Sequence, residues 1–350
     1  MFNTPLIAAP MAGGTTTAAL ALAAQGAGAL AFAAGGYKTA EQLATHIAPL
    51  RATGGDFGVN LFVPRTTPLG ADEAARLAAY RVELLATAAR YGAEVPLAAP
   101  PQEDPRVQDY WDEKIALLLA DPVPMVSFTF GLAPAEVVSR LHQAGTRVVA
   151  SVTSAAEAVA AVATGVDALV VQHTNAGGHT AAFLAAGGPS AENSRTGTHL
   201  TLPQLLSEVR SAVSVPLVGA GGVSGPAEAK AVLAAGATAV AIGTALIRTE
   251  ESGARPLHKD ALADPGYTRT AMTRAFTGKP ARALVNGFVR DHTATAPEAY
   301  PEVHFLTAPL RAAAAAAQDP RALNLWAGTG WKSAQAVPVA AVVKEFLREL

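Results

Sequence analysis

A histidine that follows two glycines is the side chain in this sequence most suited to chemistry. Residues 172–180 read QHTNAGGHT, and His179 lies on a glycine-rich segment where an imidazole has little reason to join a packed core. A histidine in such a place can act as a general base near neutral pH. His173 directly follows an apolar run, so a structural role is favoured for it over a catalytic one. His179 is therefore the candidate catalytic residue.

Two glycine-rich segments in the second half of the chain predict a phosphate site. They read GAGGVSGPAEA, starting at Gly219, and AIGTALI, starting at Ala241. Glycines let backbone amides approach a ligand closely, and Pro226 suits the first turn of a helix whose amino end favours anions. Tight turns alone would also explain these glycines. The GxGxxG spacing of dinucleotide sites is absent, so the segments favour a mononucleotide. The residues of this predicted cradle are Gly219, Gly221, Gly222, Gly243 and Thr244.

Composition excludes several other kinds of site. The 350 residues contain no cysteine, which removes disulfides, thiolate metal sites, iron–sulfur clusters and a cysteine nucleophile. The eight histidines are scattered, and no HExxH or comparable spacing predicts a metal site. Redox chemistry in this chain would therefore use an organic cofactor.

Charge and hydropathy argue against nucleic acid and membrane as partners. Lys and Arg number 26 against 28 Asp and Glu, a net charge of −2 without long blocks of one sign, so nucleic acid is not an expected partner. The amino terminus lacks a basic region ahead of an apolar stretch, and the apolar runs are interrupted before they reach the length of a bilayer span. We expect a cytoplasmic protein without a membrane partner. The sequence leaves the oligomeric state open.

Eight short apolar runs alternate with helical stretches, a pattern typical of repeated βα units. The predicted strands are 6–11, 28–34, 57–63, 125–131, 147–153, 168–173, 216–222 and 239–244. Eight such units favour an α/β fold of the (β/α)8 TIM barrel type over an open sheet. Such barrels carry cofactor and catalytic groups where strands end, and the ends predicted here are unusually polar and rich in glycine.

Two long segments depart from the repeat. Residues 64–124 form an insertion after the third strand, with helices predicted near 72–91 and 107–120, and a glycine-rich loop follows the sixth strand over 174–200. Loops of that length are usually functional or disordered.

The pattern divides the chain into two predicted domains. The barrel would span 1–255, and a smaller, mostly helical region over 256–350 would pack on it as a lid. In that second region Arg274, Lys279 and Arg282 lie close in sequence. Most such charges form a solvated face, although a contribution to closing the site stays open.

Several motifs together resemble the nitronate monooxygenase family, formerly called 2-nitropropane dioxygenases. They extend from Pro5 to about Trp331 and read PLIAAPMAGG, GVNLFVP, AGGH, GAGGVSGPAEAKAVLAAGATAVAIGTALI, TRAFTGKPAR and NLWAGTGW. The resemblance implies an FMN-dependent barrel enzyme. Its members oxidise alkyl nitronates, such as propionate 3-nitronate, with dioxygen to a carbonyl compound and nitrite, and a neutral nitroalkane must first lose its α-proton.

The resemblance also implies roles for individual residues. His179 matches the histidine regarded as the catalytic base, and the cradle glycines with Thr244 would hold the ribityl and phosphate groups. Many relatives have a glutamate before AGGH and an arginine after it, whereas this chain has Asn175 and Thr180. Loss of these charges puts the preference between nitronates and nitroalkanes in doubt. The residues implied to contact the flavin ring are Ala9, Pro10, Met11, Asn60, Gln172, Gly177 and Gly178.

Other functions share this fold. FMN-dependent NAD(P)H:quinone reductases and enoyl-acyl-carrier-protein reductases also carry AGGH and a GAGG cradle, and they remain the alternative enzymes. A non-catalytic FMN-binding or sensor protein is an alternative of a different class. IMP dehydrogenase-like barrels are excluded because they need a cysteine nucleophile.

Overall fold

Eight parallel strands close into a barrel, as predicted. The computed structural model describes residues 1–184 and 200–350. The barrel strands, in order around the barrel, are β1 (Leu6–Ala8), β2 (Leu30–Ala34), β3 (Gly58–Phe62), β4 (Met125–Thr129), β5 (Arg147–Val152), β6 (Ala168–Gln172), β8 (Leu217–Ala220) and β9 (Ala239–Ile242). A two-residue strand outside the barrel, β7 (Gly178–His179), lies in the loop after β6, which the sequence predicted to be irregular throughout. Most of the rest of that loop, 185–199, lies outside the described residues.

Helices between the strands form the outer ring of the barrel. Several of them begin at hydroxyl side chains, and Thr39 and Thr201 form capping boxes with Gln42 and Gln204. The final helix joins this ring, since its buried residues Val339, Val342, Val343 and Phe346 belong to the same hydrophobic core as the strands and the other ring helices. The ring helices are α1 (Ala18–Gly26), α2 (Ala40–Arg51), α4 (Trp111–Ala120), α5 (Ala135–Gln143), α6 (Ala155–Val162), α7 (Leu202–Ala212), α8 (Pro226–Ala234) and α12 (Val339–Glu349).

Two segments outside the ring pack together over the carboxyl ends of the barrel strands, and we call them the cap. Residues 64–110 contribute α3 (Ala71–Ala89), and residues 245–338 contribute the remaining cap elements. Strands β10 and β11 pair antiparallel, and β11 also pairs with β7. The elements from 245–338 are α9 (Pro256–Ala261), β10 (Thr270–Thr273), β11 (Ala281–Leu284), α10 (Gly287–His292) and α11 (Glu302–Ala316).

The cap has its own hydrophobic core, which joins its two segments. Tyr80 and Leu84 of α3 are buried in one cluster with Phe276, Phe288 and Leu306 of the later segment. The barrel interior is filled separately by small and branched residues such as Ile7, Val218 and Ala241. Because α12 returns to the barrel ring, the later cap segment, residues 245–338, is an insertion between β9 and the helix α12. This differs in one point from the predicted boundary, which placed all of 256–350 beside the barrel.

Candidate active site

A cavity of about 500 Å³ lies between the barrel and the cap. Its floor consists of barrel-interior side chains, among them Ile7, Phe32 and Val218, and its upper wall comes from the cap. This volume falls in the usual range of 300–1,000 Å³ for cofactor and ligand sites. The carboxyl ends of the strands open into this space, where barrel enzymes place their reactive groups.

The cavity brings together every predicted site residue except Gly219. Gly219 lies on β8, but a Cβ there would come within 2.3 Å of Val232 Cγ1 and 3.2 Å of Leu206 Cδ1, which belong to ring helices. This glycine therefore serves helix packing, and its neighbours Val218 and Ala220 face the cavity instead. The predicted residues that line the cavity are Ala9, Pro10, Met11, Asn60, Gln172, Gly177, Gly178, His179, Gly221, Gly222, Gly243 and Thr244.

Glycines at the mouth are required for different reasons. Gly221 and Gly222 have φ values of +102° and +79°, and a Cβ on either would come within 2.9 Å of the loop around Asn175. At Gly243, in contrast, a Cβ would lie 3.7 Å from Ala9 Cβ and from Met11 Sδ, an ordinary contact distance inside the cavity. At Gly243, unlike Gly221 and Gly222, the missing side chain therefore leaves space to a ligand rather than to protein.

Asn60 and Gln172 present amides to the cavity in unequal ways. Asn60 Nδ2 donates to Ser127 Oγ at 2.9 Å and to Thr129 Oγ1 at 3.0 Å, whereas none of the described residues donates to its Oδ1. Gln172 Nε2 donates to the carbonyl of His179 at 3.1 Å, and its Oε1 accepts from Ala181 N at 2.7 Å. Gln172 thus fixes the strand that carries His179, while Asn60 keeps an acceptor for a ligand.

His179 lies within a cluster of aromatic rings at the top of the cavity. Its ring centroid is 5.6 Å from Phe130, 5.8 Å from Tyr300 and 5.2 Å from Trp326, and its Nε2 shares a hydrogen bond of 2.8 Å with Thr277 Oγ1. Burial, reinforced by the positive charges of Lys279 and Arg311, lowers the pKa of His179 to about 3. The imidazole is consequently neutral at pH 7.

Two aromatic residues of the cavity have left-handed backbone conformations. Tyr37 has a φ of 64° and Phe130 a φ of 77°, which is uncommon for bulky side chains and recurs at functional sites. Tyr37 N donates to Asp109 Oδ1 at 2.6 Å, and Asp109 Oδ2 accepts from the buried Lys114 Nζ at 2.7 Å. The segment between β3 and β4 thereby anchors a side chain that reaches the cavity after β2.

The predicted basic cluster has three different environments. Arg274 pairs with Glu298 on the surface, as expected for a solvated charge. Lys279 instead donates to the carbonyl of Ala182 at 2.8 Å and lies 4.8 Å from the Phe130 ring centroid, so the solvated interpretation is wrong for it. Arg282 Nε donates to the carbonyl of Thr174 at 2.7 Å and holds the loop before β7.

His173, Asn175 and Thr180 have structural roles in the loop that follows β6. His173 shares a hydrogen bond of 2.7 Å with the carbonyl of Leu200 and accepts from Asn175 N at 3.2 Å, in agreement with the structural role favoured from sequence. Asn175 packs against Gly222, and Thr180 N donates to the carbonyl of Pro280 at 2.9 Å. Neither Asn175 nor Thr180 lines the cavity.

Several cavity residues escaped the sequence analysis. Tyr37 lies three positions beyond the end of β2, so the rule that strand ends carry function could have found it. The others come from three separate cap segments and follow no shared spacing. They are Thr277, His304, Arg311, Asn324 and Trp326.

The described residues fit a flavin mononucleotide. The floor is apolar, Asn60 offers an unpaired acceptor, and the space beside Gly243 adjoins Ala9 and Met11. In the described ranges 1–184 and 200–350 no group of three or more His, Asp or Glu side chains could hold a metal ion, and no helix is both long and apolar enough to cross a membrane. The apolar floor and the free amide acceptor of Asn60 suit an organic cofactor.

Comparison with known proteins gives the family of the chain. The chain matches the family Nitronate monooxygenase over residues 1–349. It is 33% identical over 354 residues to a probable nitronate monooxygenase of Bacillus subtilis (strain 168), covering 99% of this chain and 94% of that protein.

Two solved structures resemble the whole chain to different degrees. A nitroalkane oxidase from Streptomyces ansochromogenes has a TM-score of 0.91 and 44% identity, covering 100% of this chain and 96% of the other. FabK from Thermotoga maritima has a TM-score of 0.69 and 22% identity, covering 99% and 93%, and shares the fold alone. The cavity at the barrel mouth and this similarity define a barrel oxidoreductase. The chain belongs to the nitronate monooxygenase family.

Proposed function

We propose that this enzyme is an FMN-dependent nitronate monooxygenase, which oxidises alkyl nitronates with dioxygen to a carbonyl compound and nitrite. Membership of the family over residues 1–349 supports the reaction class. The observation that carries the choice of an anionic substrate is the charge around His179. The neutral imidazole lies in a site whose nearby charged groups, Lys279 and Arg311, are positive. Such a field favours a nitronate anion over a neutral molecule of the same shape.

Residues of the barrel mouth would hold the flavin. We assign the ring to Ala9, Pro10 and Met11 on one side, with the free acceptor of Asn60 available to a ring N–H. Gly177 and Gly178 would lie along it, and Gln172 retains one N–H beyond its contact with the His179 carbonyl. The phosphate would lie at the amide-rich ends of β8 and β9, where Gly221, Gly222, Gly243 and Thr244 meet.

The flavin, when bound, supplies the electron acceptor, so the chain itself has to position the substrate and handle protons. The carbon of a nitronate is already deprotonated, so this substrate needs only to be oriented beside His179. A neutral nitroalkane needs a base, and the imidazole is neutral and can take the proton. Because burial and two cations lower its pKa, His179 is a weak base, and we expect nitroalkanes to be the poorer substrates.

The test is aerobic nitrite release from ethyl nitronate and propionate 3-nitronate by the purified, FMN-loaded protein, with no pyridine nucleotide added. We expect oxygen-dependent nitrite from both. The flavin released on denaturation should be FMN, one per chain, and recovery of FAD or of no flavin after reconstitution would contradict the assignment.

Anaerobic mixing with NADH or NADPH tests the alternative enzymes. Slow or absent flavin reduction fits the monooxygenase. Fast reduction, together with rapid turnover of a quinone or an enoyl thioester, would assign the protein to the reductases instead. Turnover of any nitronate would exclude a purely flavin-binding sensor.

A further inference from the structure

Arg311 is a cation in the cavity wall whose recorded partners are all neutral. It lies on α11, and its guanidinium donates to Thr307 Oγ1 at 3.1 Å, to Asn324 Oδ1 at 3.4 Å, and to Nδ1 and the carbonyl of His304 at 3.3 and 3.1 Å. Among the described residues no carboxylate pairs with it. Glu302, the carboxylate at the start of the same helix, is paired with Arg65.

A second cation near Arg311 adds to the positive charge in this part of the cavity. Burial lowers the pKa of Arg311 to about 10, which leaves it charged at pH 7, and Arg255, which also lines the cavity, adds a second positive charge. A cation withdrawn from water without a counter-ion is unfavourable unless an anion arrives to pair with it. The arrangement is therefore incomplete without an anionic ligand.

Arg311 is linked to His179 through a row of rings. His304 stacks on Tyr37 with 4.8 Å between centroids and an interplanar angle of 6°, and Tyr37 and Tyr300 share a hydroxyl hydrogen bond of 3.3 Å. Tyr300 in turn contacts His179 edge to face. A substrate whose reacting carbon lies beside His179 can therefore extend along this row, which we call the aromatic row (Tyr37, His304 and Tyr300), toward Arg311.

The flavin phosphate is a poor explanation for Arg311. The proposed phosphate site lies at the ends of β8 and β9, whereas Arg311 contacts His304, which stacks on Tyr37 after β2. Around the barrel β2 and β9 are separated by β1, and β8 lies one strand further. Among the described residues, none of the hydrogen bonds of Arg311 goes to Gly221, Gly222, Gly243 or Thr244, the residues proposed for the phosphate.

We infer that Arg311 is a specificity-determining residue, which binds a carboxylate at the far end of the nitronate substrate. The inference rests on the proposed function and names the residue that would distinguish nitronates with a carboxylate from nitronates without one. After exchanging its long contact to Asn324, Nη1 can donate to one carboxylate oxygen, and Nη2 can donate a second, parallel hydrogen bond in place of its 3.3 Å contact with His304 Nδ1. Loss of such a contact penalises the charged substrate and leaves its uncharged analogue almost unaffected.

The experiment compares propionate 3-nitronate with propyl 1-nitronate, in which a methyl group replaces the carboxylate. In Arg311→Met we expect kcat/KM for the first to fall about 30- to 100-fold, mainly through KM, and for the second to change less than about threefold. Arg311→Lys keeps the positive charge but lacks the two parallel N–H donors of the guanidinium. Its kcat/KM for propionate 3-nitronate should lie between those of wild type and Arg311→Met. Arg274→Gln, which removes a surface charge, is the matched control and should behave as wild type.

Equal losses on both substrates would overturn the inference, and so would loss of FMN from Arg311→Met, which would assign the guanidinium to the cofactor. Binding of succinate, an unreactive dicarboxylate of similar shape, gives a second readout through the flavin absorbance and the melting temperature. If the wild type oxidises neither nitronate, the proposed function fails, but succinate binding still tests the anion site. Succinate binding to the wild type that is lost in Arg311→Met supports the anion site. Absence of succinate binding to the wild type overturns the inference.

Discussion

The two halves of the cavity are built by different means. The barrel half consists of strand ends and glycines, where positions are set by the closed sheet and the ligand would meet backbone amides and the amide of Asn60. The cap half consists of aromatic and cationic side chains brought from several distant segments. The first arrangement suits a group that every member of a fold class binds, and the second suits a choice among substrates. Changes in the two halves should therefore separate cofactor binding from substrate preference.

The largest expected effect is on proton transfer by His179. In His179→Asn, kcat/KM for nitroethane should fall about 10²- to 10⁴-fold, the usual contribution of a positioned proton-transfer group. Ethyl nitronate should lose much less because its carbon is already deprotonated. Steady-state kinetics on both substrates, with flavin occupancy measured in each preparation, gives the ratio. Equal losses would show that His179 binds the nitro group, and no loss would remove it from the site.

The contrast between the halves also explains what the sequence could predict. The eight strands begin within two residues of their predicted starts, since short apolar runs bounded by glycine and proline are a local signal. They end up to three residues earlier than predicted, because the last residues of runs such as 6–11 and 216–222 already turn into the mouth. Membership of a strand was therefore predictable, and its exact end was not.

The prediction of the glycine cradle was wrong about which side of β8 Gly219 faces. Successive residues of a strand point to opposite sides, so Gly219 and Ala220 cannot both face the cavity. The glycine motif gave no indication of which one does. His304 and Arg311 were beyond reach for a different reason, since they lie on a cap helix whose place over the barrel mouth depends on two insertions packing together, and no periodicity in either segment records that contact.

Valine substitutions at Gly243 and Gly219 should separate an effect on FMN binding from an effect on helix packing. Gly243→Val fills space beside Ala9 and Met11, so we expect at least tenfold weaker FMN retention with little change in the stability of the flavin-free protein. Gly219→Val collides with Val232 and Leu206 and should cost about 1–3 kcal/mol of stability, the usual price of overpacking. Flavin titration and urea unfolding of both apoproteins measure this. If Gly219→Val selectively weakened FMN binding at unchanged stability, its place in the cradle would be restored.

A smaller effect concerns the joint between the two cap segments. The buried hydroxyl of Tyr80 on α3 donates to the carbonyl of Ala275 at 2.7 Å. Tyr80→Phe leaves that carbonyl without this partner and should destabilise the protein by about 1 kcal/mol. Tyr91→Phe is the control, since its hydroxyl contacts Asp319 in a more exposed place. Thermal unfolding compares the two variants, and an equal or larger loss in Tyr91→Phe would contradict a buried joint at Tyr80.

The smallest expected effect is on the pH profile of kcat/KM for nitroethane. We expect this profile to be flat in the pH range where an ordinary histidine would titrate. The pH profile of kcat/KM reports the base of the free enzyme, and an imidazole of pKa about 6.5 would be roughly tenfold less available at pH 5.5 than at pH 7.5. Burial and the positive charges of Lys279 and Arg311 lower the pKa of His179 to about 3, so the neutral form persists throughout that interval. We expect kcat/KM for nitroethane to change less than about twofold between these pH values.

Lys279→Met tests the cause of that flat profile. The lysine stabilises the neutral imidazole, so its removal should raise the pKa of His179 and move the acid limb toward higher pH, although burial, the larger cause, remains. The sign is fixed because a positive neighbour always disfavours a second positive charge. A tenfold fall by pH 5.5 in wild type would show that the flavin-loaded site holds His179 in a more polar setting. A shift toward lower pH in Lys279→Met would show that the lysine acts on this imidazole through its contact with the Ala182 carbonyl and the Phe130 ring, and not through its charge.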